Sequence, residues 1–238
     1  MPLALRGVEK IYGRHAVLRR LDLELRPGEI VGLVGANGSG KTTLFNLIVG
    51  VDQPDAGELS FAGAAVRRVE APQRARIAHV AHATQLYPLL SGRENLELFA
   101  DLRRSAGEGP RALDAANALA RLGLAESAVD RPVQTYSRGM HQRTALARAV
   151  AARADLLVLD EPFTALDGPG RAQLTEVLLG EKERGAAILL SSHDLESLAS
   201  VADRVVLLAE GRIAGEARGE RGPQLRERAT ALLIPAMT

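Results

Sequence analysis

One short segment, residues 30–47, limits what this chain can fold into more than any other part of it. Residues 30–34 are apolar and predict a buried strand, and leucines at helical spacing near the end of the segment predict a helix. Between them the sequence fits the pattern G-x-x-x-x-G-K-[ST]. The residues of this glycine-rich loop are Gly35, Ala36, Asn37, Gly38, Ser39, Gly40, Lys41 and Thr42, and Thr43 follows directly. Strand, loop and helix in this order are the setting of a phosphate-binding loop, or P-loop.

The residue types of this loop suit the binding of a nucleoside triphosphate. Glycine lets the backbone turn so that its N–H groups point inward at phosphate oxygens, and the following helix adds its positive N-terminal end. We expect Lys41 to reach the β- and γ-phosphates and the hydroxyl of Thr42 to bind Mg²⁺. The alternative is a glycine-rich turn that merely precedes a helix, and the flanking strand and the motifs described next argue against it.

Composition narrows the class of protein. The chain has 238 residues, of which 46% are apolar, so we expect one globular unit with room for an inserted subdomain. A net charge of +1 does not favour nucleic-acid binding. The absence of cysteine excludes disulfides and thiolate metal sites. The sequence has no signal-peptide pattern and no run near the roughly 20 apolar residues of a membrane span, so we expect any membrane role to depend on a partner chain.

The hydrophobic pattern predicts an α/β fold with an inserted helical part. Strands are predicted at 3–9, 17–26, 30–34, 58–61, 76–81, 156–159, 187–190 and 204–209, and helices at 91–104, 111–122, 169–184 and 194–202. Strands that alternate with helices favour a mostly parallel sheet, whereas the first two strands, joined by a turn at 11–15, form an antiparallel layer before the P-loop. We predict a core of residues 1–88 and 154–215, a helical subdomain at 89–153 and a tail at 216–238 of unassigned role.

The predicted strand at 156–159 ends on two carboxylates, Asp160 and Glu161, which form a Walker B pattern with an acid directly after it. At the end of a buried strand, Asp160 is placed to hold Mg²⁺ opposite Thr42, and Glu161 to accept a proton from the attacking water or to orient it. The alternative is that two acids simply end a strand, and the P-loop upstream favours the catalytic interpretation.

A second anion-binding helix end is predicted at residues 136–143, which begin a helix just before the Walker B strand. Ser137 and Gly139 lie at its N-terminus, where a serine cap and exposed backbone N–H groups attract phosphate. Because a chain with one P-loop cannot use both helix ends on the same γ-phosphate, we expect a head-to-tail dimer in which each subunit presents Ser137 to the nucleotide of the other. The alternative is an ordinary capped helix.

In the order of these motifs, from residue 12 to about 212, the chain resembles the nucleotide-binding subunit of an ABC transporter. The resemblance implies a P-loop NTPase fold with a RecA-like core, hydrolysis of ATP with Mg²⁺, and stacking of adenine on Tyr12. It also implies that 136–140 is the family's signature, that 164–167 is the loop at the dimer interface, and that His193 holds the γ-phosphate and the attacking water.

Two departures from the family pattern stand out. In the signature, Arg138 replaces a glycine and Met140 replaces a glutamine, and Arg138 either adds positive charge near the site or points to solvent. The glutamine that in the family reaches Mg²⁺ and the attacking water falls on His82, with Gln85 three residues later. We expect His82 to take this role. The alternatives are Gln85 acting through a longer loop and no direct contact by this loop.

Three segments, 82–87, 91–96 and 136–140, resemble the ATPase of the haem exporter-type complex of cytochrome c maturation. This resemblance implies an ATP-hydrolysing exporter subunit on the cytoplasmic face of the cell membrane. Its partners would be separately encoded transmembrane permease subunits and a second ATPase subunit, identical or paralogous, and not nucleic acid. The alternative is a soluble ABC ATPase that drives assembly of a cofactor of the iron–sulfur type.

Overall fold

Two β-sheets form the core of the computed structural model, which describes residues 2–66, 69–105 and 113–233. The strands are β1 (Leu3–Tyr12), β2 (His15–Leu25), β3 (Ile30–Val34), β4 (Ala56–Phe61), β5 (Ala64–Val66), β6 (Ile77–Val80), β7 (Leu156–Leu159), β8 (Ala187–Ser191), β9 (Arg204–Ala209) and β10 (Arg212–Arg218). The helices are α1 (Lys41–Ile48), α2 (Ala71–Arg74), α3 (Gly92–Ser105), α4 (Ala115–Arg121), α5 (Arg138–Ala151), α6 (Gly168–Glu183), α7 (Leu195–Val201) and α8 (Pro223–Leu233). None of these described helices is both long and apolar enough to span a membrane.

The two sheets confirm the predicted α/β class with a separate antiparallel layer. The smaller sheet has the strand order β2-β1-β4-β5 and is antiparallel. The larger sheet has the order β10-β9-β3-β8-β7-β6, and its strands run parallel except for β10, which forms a hairpin with β9. Crossover helices between parallel strands cover this sheet, so its central strands are buried on both faces.

Alternate residues of the central strands pack into different layers. Leu157 and Ile188 face the apolar sides of α5 to α8, whereas Val158 and Leu189 face α1 and the four-stranded sheet. This alternation follows from the period of two in a strand. The large sheet is therefore the middle layer, and the loops at its edges are the parts left free to form a site.

The carboxyl ends of β3, β8 and β7 meet at one edge of the large sheet. β8 lies between the other two, with Leu33 paired to Ser191 and Leu159 paired to Leu190. Since the three strands are parallel, the P-loop, the Walker B acids and the residues after β8 all leave the sheet at this edge. Crevices beyond the carboxyl ends of parallel strands are where open α/β sheets bind ligands.

Several predicted boundaries were wrong. The turn predicted at 11–15 is shorter, because Tyr12 pairs directly with His15 and leaves only two residues for the turn. The helix predicted at 111–122 begins at Ala115, because Asp114 caps it by accepting a hydrogen bond of 3.0 Å from the Asn117 N–H. The start of that prediction, at residues 111 and 112, lies outside the described residues, and β5 was not predicted.

The unassigned tail has regular structure. β10 extends to Arg218, and α8 then packs on α7 and β10 with Leu225 and Ala229 fully buried. Residues 234–238 lie outside the described part of the chain. The sequence of this segment did not predict a helix clearly, because only Leu225 and Ala229 of α8 are buried and the apolar pattern is therefore short.

Candidate active site

A cavity of about 830 Å³ opens at the edge of the large sheet where β3, β7 and β8 end. It brings together most of the predicted site residues. Those that line it are Asn37, Gly38, Gly40, Lys41, Thr42, Thr43, His82, Asp160, Glu161 and His193. The cavity is thus built from the P-loop on one side and from the loops after β6, β7 and β8 on the other.

The P-loop has a backbone that requires glycine at specific positions. Gly40 has φ of 107°, a left-handed conformation, immediately before α1. A Cβ at Gly35 would lie 2.3 Å from the backbone oxygen of Leu208, so no side chain fits there. Gly35 itself does not line the cavity, and neither does Ser39, whose buried Oγ has no hydrogen-bond partner in the described part of the chain.

Lys41 is folded back onto its own loop. Its Nζ donates hydrogen bonds to the backbone oxygens of Gly35, at 2.6 Å, and of Ala36, at 3.1 Å. Burial lowers the pKa of Lys41 because it disfavours the ammonium form, and the charges of Glu161 and Asp160 act in the opposite direction. A phosphate that displaces these two carbonyl oxygens would replace neutral acceptors by a charged one, which makes a stronger hydrogen bond.

Ser191, at the end of β8, holds the Walker B pair in place. Its buried Oγ donates to Asp160 Oδ1 at 2.6 Å and accepts from the Glu161 N–H at 3.0 Å. Asp160 is also fixed to the next strand, because its N–H donates to the Val80 oxygen at 2.8 Å. Ser191 was not predicted as a functional residue, and its only signal in the sequence was a hydroxyl where an apolar strand ends.

Glu161 and His193 form a pair across the cavity. The His193 N–H donates to Glu161 Oε2 at 3.2 Å, and His193 Nε2 lies 3.4 Å from Oε1. Glu161 has φ of 51°, a conformation that costs energy for a residue with a Cβ. Its Oε1 is buried, and within the described ranges it accepts no hydrogen bond. A buried carboxylate oxygen without a donor is costly, so this atom is suited to receive a hydrogen bond from a bound molecule.

The structure separates His82 from Gln85. His82 lines the main cavity with Asp160 and Glu161, whereas Gln85 lines a different groove, on the other side of the loop. Arg148 holds this loop by donating to the backbone oxygens of Gln85, at 2.8 Å, and of Thr84, at 3.1 Å. The geometry therefore brings His82, and not Gln85, to the carboxylates.

Besides Gly35 and Ser39, three predicted site residues lie outside the main cavity: Ser137, Gly139 and Tyr12. Ser137 caps α5 by accepting a hydrogen bond of 3.3 Å from the Met140 N–H, and both Ser137 and Gly139 are away from the P-loop of their own chain. Tyr12 is at the end of β1, where its hydroxyl donates to Asp52 Oδ2 at 2.6 Å. Arg138 is exposed and lines a smaller cleft of about 180 Å³ that shares His82 and the Walker B acids with the main cavity.

Six lining residues were not predicted as site residues: His15, Val17, Phe163, Arg171, Ser192 and Asp194. Asp194 caps α7 through the N–H groups of Glu196 and Ser197, and it forms an ion pair with Arg171 of α6. This ion pair fixes the segment that carries His193 to the start of α6. No local pattern in the sequence indicates it, because the two charges lie on different elements.

A phosphate loop beside a Walker B pair on a parallel sheet defines a P-loop nucleoside triphosphatase. Residues 18–164, more than half of the chain, match the family described as ABC transporter. The chain belongs to this family as an ATP-binding domain, and it is an ATPase.

Relatives and solved structures agree with this assignment. The chain is 38% identical over 236 residues to the aliphatic sulfonates import ATP-binding protein SsuB 2 of Pseudomonas aeruginosa, covering 98% of this chain and 81% of that protein. It is 37% identical over 211 residues to the Nod factor export ATP-binding protein I of Burkholderia orbicola, covering 89% and 69%. A dimeric ATP-binding cassette in a post-hydrolysis state, bound to ADP and Pi, is 25% identical with a TM-score of 0.82, covering 91% of this chain and 98% of that one.

Proposed function

We propose that this protein is the ATP-hydrolysing subunit of a membrane exporter whose membrane-spanning part is a separate permease chain. We place it at the cytoplasmic face of the membrane, as a dimer with an identical or paralogous ATPase subunit. The proposal rests on a groove beside the active site that suits a helix of another protein. The Nod factor export relative and the three segments that resemble the haem exporter-type ATPase support the direction of transport.

The groove has a volume of about 530 Å³, and residues of β6, α3 and α5 are among those that line it. Apolar side chains dominate its lining, among them Val51 and Leu102, and Leu102 is 53% exposed. Exposed large apolar side chains grouped around a groove mark an interaction site, and an amphipathic helix is a common occupant. The exposed Arg74 also lines the groove, so a helix with an acidic residue beside its apolar face would complement it.

One loop connects this groove to the active site. His82, at its start, lines the ATP cavity, and Gln85 lines the groove. Arg148 anchors the loop and stacks on Phe99 at 4.0 Å from the ring centroid, and burial lowers the pKa of Arg148 to about 10. A permease helix in the groove would therefore press on the loop that carries His82.

We propose the following roles in the ATP site. Lys41 and the P-loop N–H groups hold the β- and γ-phosphates, and Ser137 and Gly139 of the second subunit close the site from the other side. Glu161 accepts the proton of the attacking water, and His193 holds the γ-phosphate. The remaining assigned residues, which surround the phosphates and the base, are Tyr12, Gly35, Asn37, Gly38, Ser39, Gly40, Thr43 and His82.

The Thr42 hydroxyl and the Asp160 carboxylate suit Mg²⁺. Both are oxygen ligands that line the cavity, and Mg²⁺ is normally held by one or two protein oxygens together with substrate phosphates. The hydrogen bond from Ser191 fixes the orientation of the Asp160 carboxylate. Mg²⁺ bound there would neutralise charge that develops on the phosphate oxygens.

A substitution in the groove tests the proposed function. We expect Leu102→Glu to abolish co-purification with the membrane chain and the stimulation of ATPase activity by it, because a carboxylate cannot be buried against an apolar helix. Basal ATPase activity should stay within about 2-fold of the wild-type value, since the groove does not contact the ATP cavity. The matched control is Leu89→Glu, which changes a leucine that is 75% exposed but does not line the groove.

The groove assignment would be contradicted if Leu89→Glu abolished co-purification and stimulation of ATPase activity while Leu102→Glu left both intact. Recovery of the wild-type protein with no membrane chain, in a complex with soluble assembly proteins, would support the alternative of a cofactor-assembly ATPase. Transport measured in inverted vesicles, where ATP is supplied to the cytoplasmic face, tests the direction: substrate accumulation inside supports export.

The two substitutions His82→Ala and Gln85→Ala decide which residue serves the active site. We expect His82→Ala to lower basal ATP hydrolysis by roughly 10-fold, because an imidazole hydrogen bond near the attacking water is lost. Gln85→Ala should change basal hydrolysis by less than about 2-fold, since its side chain lies on the groove side of the loop. Basal activity is the appropriate readout because Gln85 also faces the proposed permease site. A damaging Gln85→Ala with a silent His82→Ala would show that the alternative is right.

A further inference from the structure

The hydroxyl of Tyr12 is bound by a carboxylate from the far end of the P-loop helix. It donates to Asp52 Oδ2 at 2.6 Å, while Oδ1 of the same carboxylate accepts a hydrogen bond of 2.8 Å from Lys10 Nζ. Lys10 and Tyr12 are two residues apart on β1 and point to the same side of the strand. Asp52 follows α1, whose first residue is Lys41. Asp52 therefore connects the β1 strand to the helix that begins at the phosphate site.

This network is charged and partly buried. Lys10 is only 6% exposed, and its Nζ also donates to the Gln53 oxygen at 2.9 Å. Burial raises the pKa of Asp52, but hydrogen bonds from Lys10, Tyr12 and the Gln53 N–H outweigh it and lower that pKa to about 2. Asp52 is consequently a permanent anion at physiological pH, and the hydrogen bond it accepts from Tyr12 is charge-assisted.

Tyr12 does not line the ATP cavity itself, but residues next to it do. Tyr12 pairs with His15 across the β1–β2 turn, and His15 and Val17 line the cavity. The hydrogen bond to Asp52 raises the pKa of Tyr12, and the side chain of Thr43, which lines the cavity, acts in the opposite direction. The side chain of Tyr12 is 46% exposed, so packing leaves a large part of the ring uncovered. The Lys10 ammonium lies 5.2 Å from the centroid of the ring, so this cation and the hydrogen bonds at the hydroxyl end together determine the orientation of Tyr12.

We infer that Asp52 is a positioning residue for nucleotide binding that acts through Tyr12. By holding the phenol hydroxyl, it keeps the ring in one orientation, against which the base of the nucleotide stacks. A ring that is already ordered loses less conformational freedom when the base binds, and affinity rises accordingly. The inference rests on the proposed role of Tyr12 as the residue that contacts the base.

Calorimetric titration with two ligands tests this inference. ATP carries a base and tripolyphosphate does not, and omission of Mg²⁺ prevents turnover. We expect Tyr12→Phe, which removes only the hydroxyl, to weaken ATP binding by roughly 5-fold and tripolyphosphate binding by less than about 2-fold. Tyr12→Ala should weaken ATP binding by roughly 10-fold or more, since stacking is lost as well.

Asp52 is best tested without leaving Lys10 as an unpaired buried charge. We expect the double variant Lys10→Met/Asp52→Ala to bind ATP roughly 5-fold more weakly than Lys10→Met alone, which is the same loss as that of Tyr12→Phe. Lys10→Met is the reference because it also removes the ammonium next to the Tyr12 ring. When Tyr12→Ala is also present, the double change should cause no further loss, because its effect passes through Tyr12. Thermal unfolding of each variant measures any loss of fold stability.

The outcomes distinguish the inference from the function on which it rests. If Tyr12→Ala leaves ATP affinity unchanged, the base does not stack on Tyr12 and the proposed role of Tyr12 is wrong. Tyr12→Ala could weaken ATP binding while Tyr12→Phe and the Lys10/Asp52 double variant do not. In that case Tyr12 contacts the base, but Asp52 does not position its ring. If ATP and tripolyphosphate weaken equally, the network only stabilises the fold, and the inference is overturned.

Discussion

Replacing Glu161 with glutamine should reduce ATP hydrolysis by about 100-fold or more while leaving ATP binding intact. The amide keeps the size of the side chain and can still accept the hydrogen bond from the His193 N–H. It cannot accept a proton, whereas the buried Oε1 of Glu161 has no hydrogen-bond donor among the described residues and is suited to do so. Single-turnover hydrolysis with Mg²⁺ measures the chemical step, and equilibrium titration measures ATP affinity.

The same variant should accumulate as an ATP-bound dimer, because the nucleotide that joins two subunits is no longer consumed. Size-exclusion chromatography with ATP and Mg²⁺ detects this dimer. Glu176→Gln is the matched control, since Glu176 is an exposed residue of α6 outside the cavity. Hydrolysis near the wild-type rate in Glu161→Gln would show that another group receives the proton.

Mixing two inactive variants should restore activity if the site is shared between subunits. Ser137→Arg blocks the phosphate-facing end of α5, and Lys41→Ala removes the P-loop cation, so each variant alone should be nearly inactive. In the mixed dimer, the P-loop of the first faces Ser137 of the second and forms one intact site. Random mixing at equal amounts should restore about a quarter of wild-type activity per chain, from half of the dimers with one of two sites each.

Ser137 lies outside the cavity of its own chain and caps α5 at the surface, so Ser137→Arg should leave the P-loop of its own chain intact. The double variant Lys41→Ala/Ser137→Arg is the control, as it cannot form an intact site with either single variant. The dimeric relative bound to ADP and Pi is consistent with a shared site in the family. Normal hydrolysis by Ser137→Arg alone would rule out the shared-site arrangement.

Features that depend on residues close together in the chain were predictable from the sequence. The P-loop needs a left-handed glycine before its helix, and this requirement is visible as a local pattern. The Walker B strand is apolar throughout because both faces are covered, and this too is a local pattern. Ser91 and Glu94, which form reciprocal hydrogen bonds at the start of α3, likewise lie within one helical turn.

The sequence by itself therefore determined the fold class, the P-loop and the order of the chemical groups, because each depends on residues a few positions apart. Only the tertiary structure decided that His82 and not Gln85 reaches the cavity, that Ser191 orients both acids, and that Asp52 binds Tyr12. These contacts join residues on different elements, 30 to 40 positions apart in the case of Ser191 and Asp52. They form because β8 lies between β3 and β7 and because the segment after α1 returns to β1, an arrangement that no local pattern encodes.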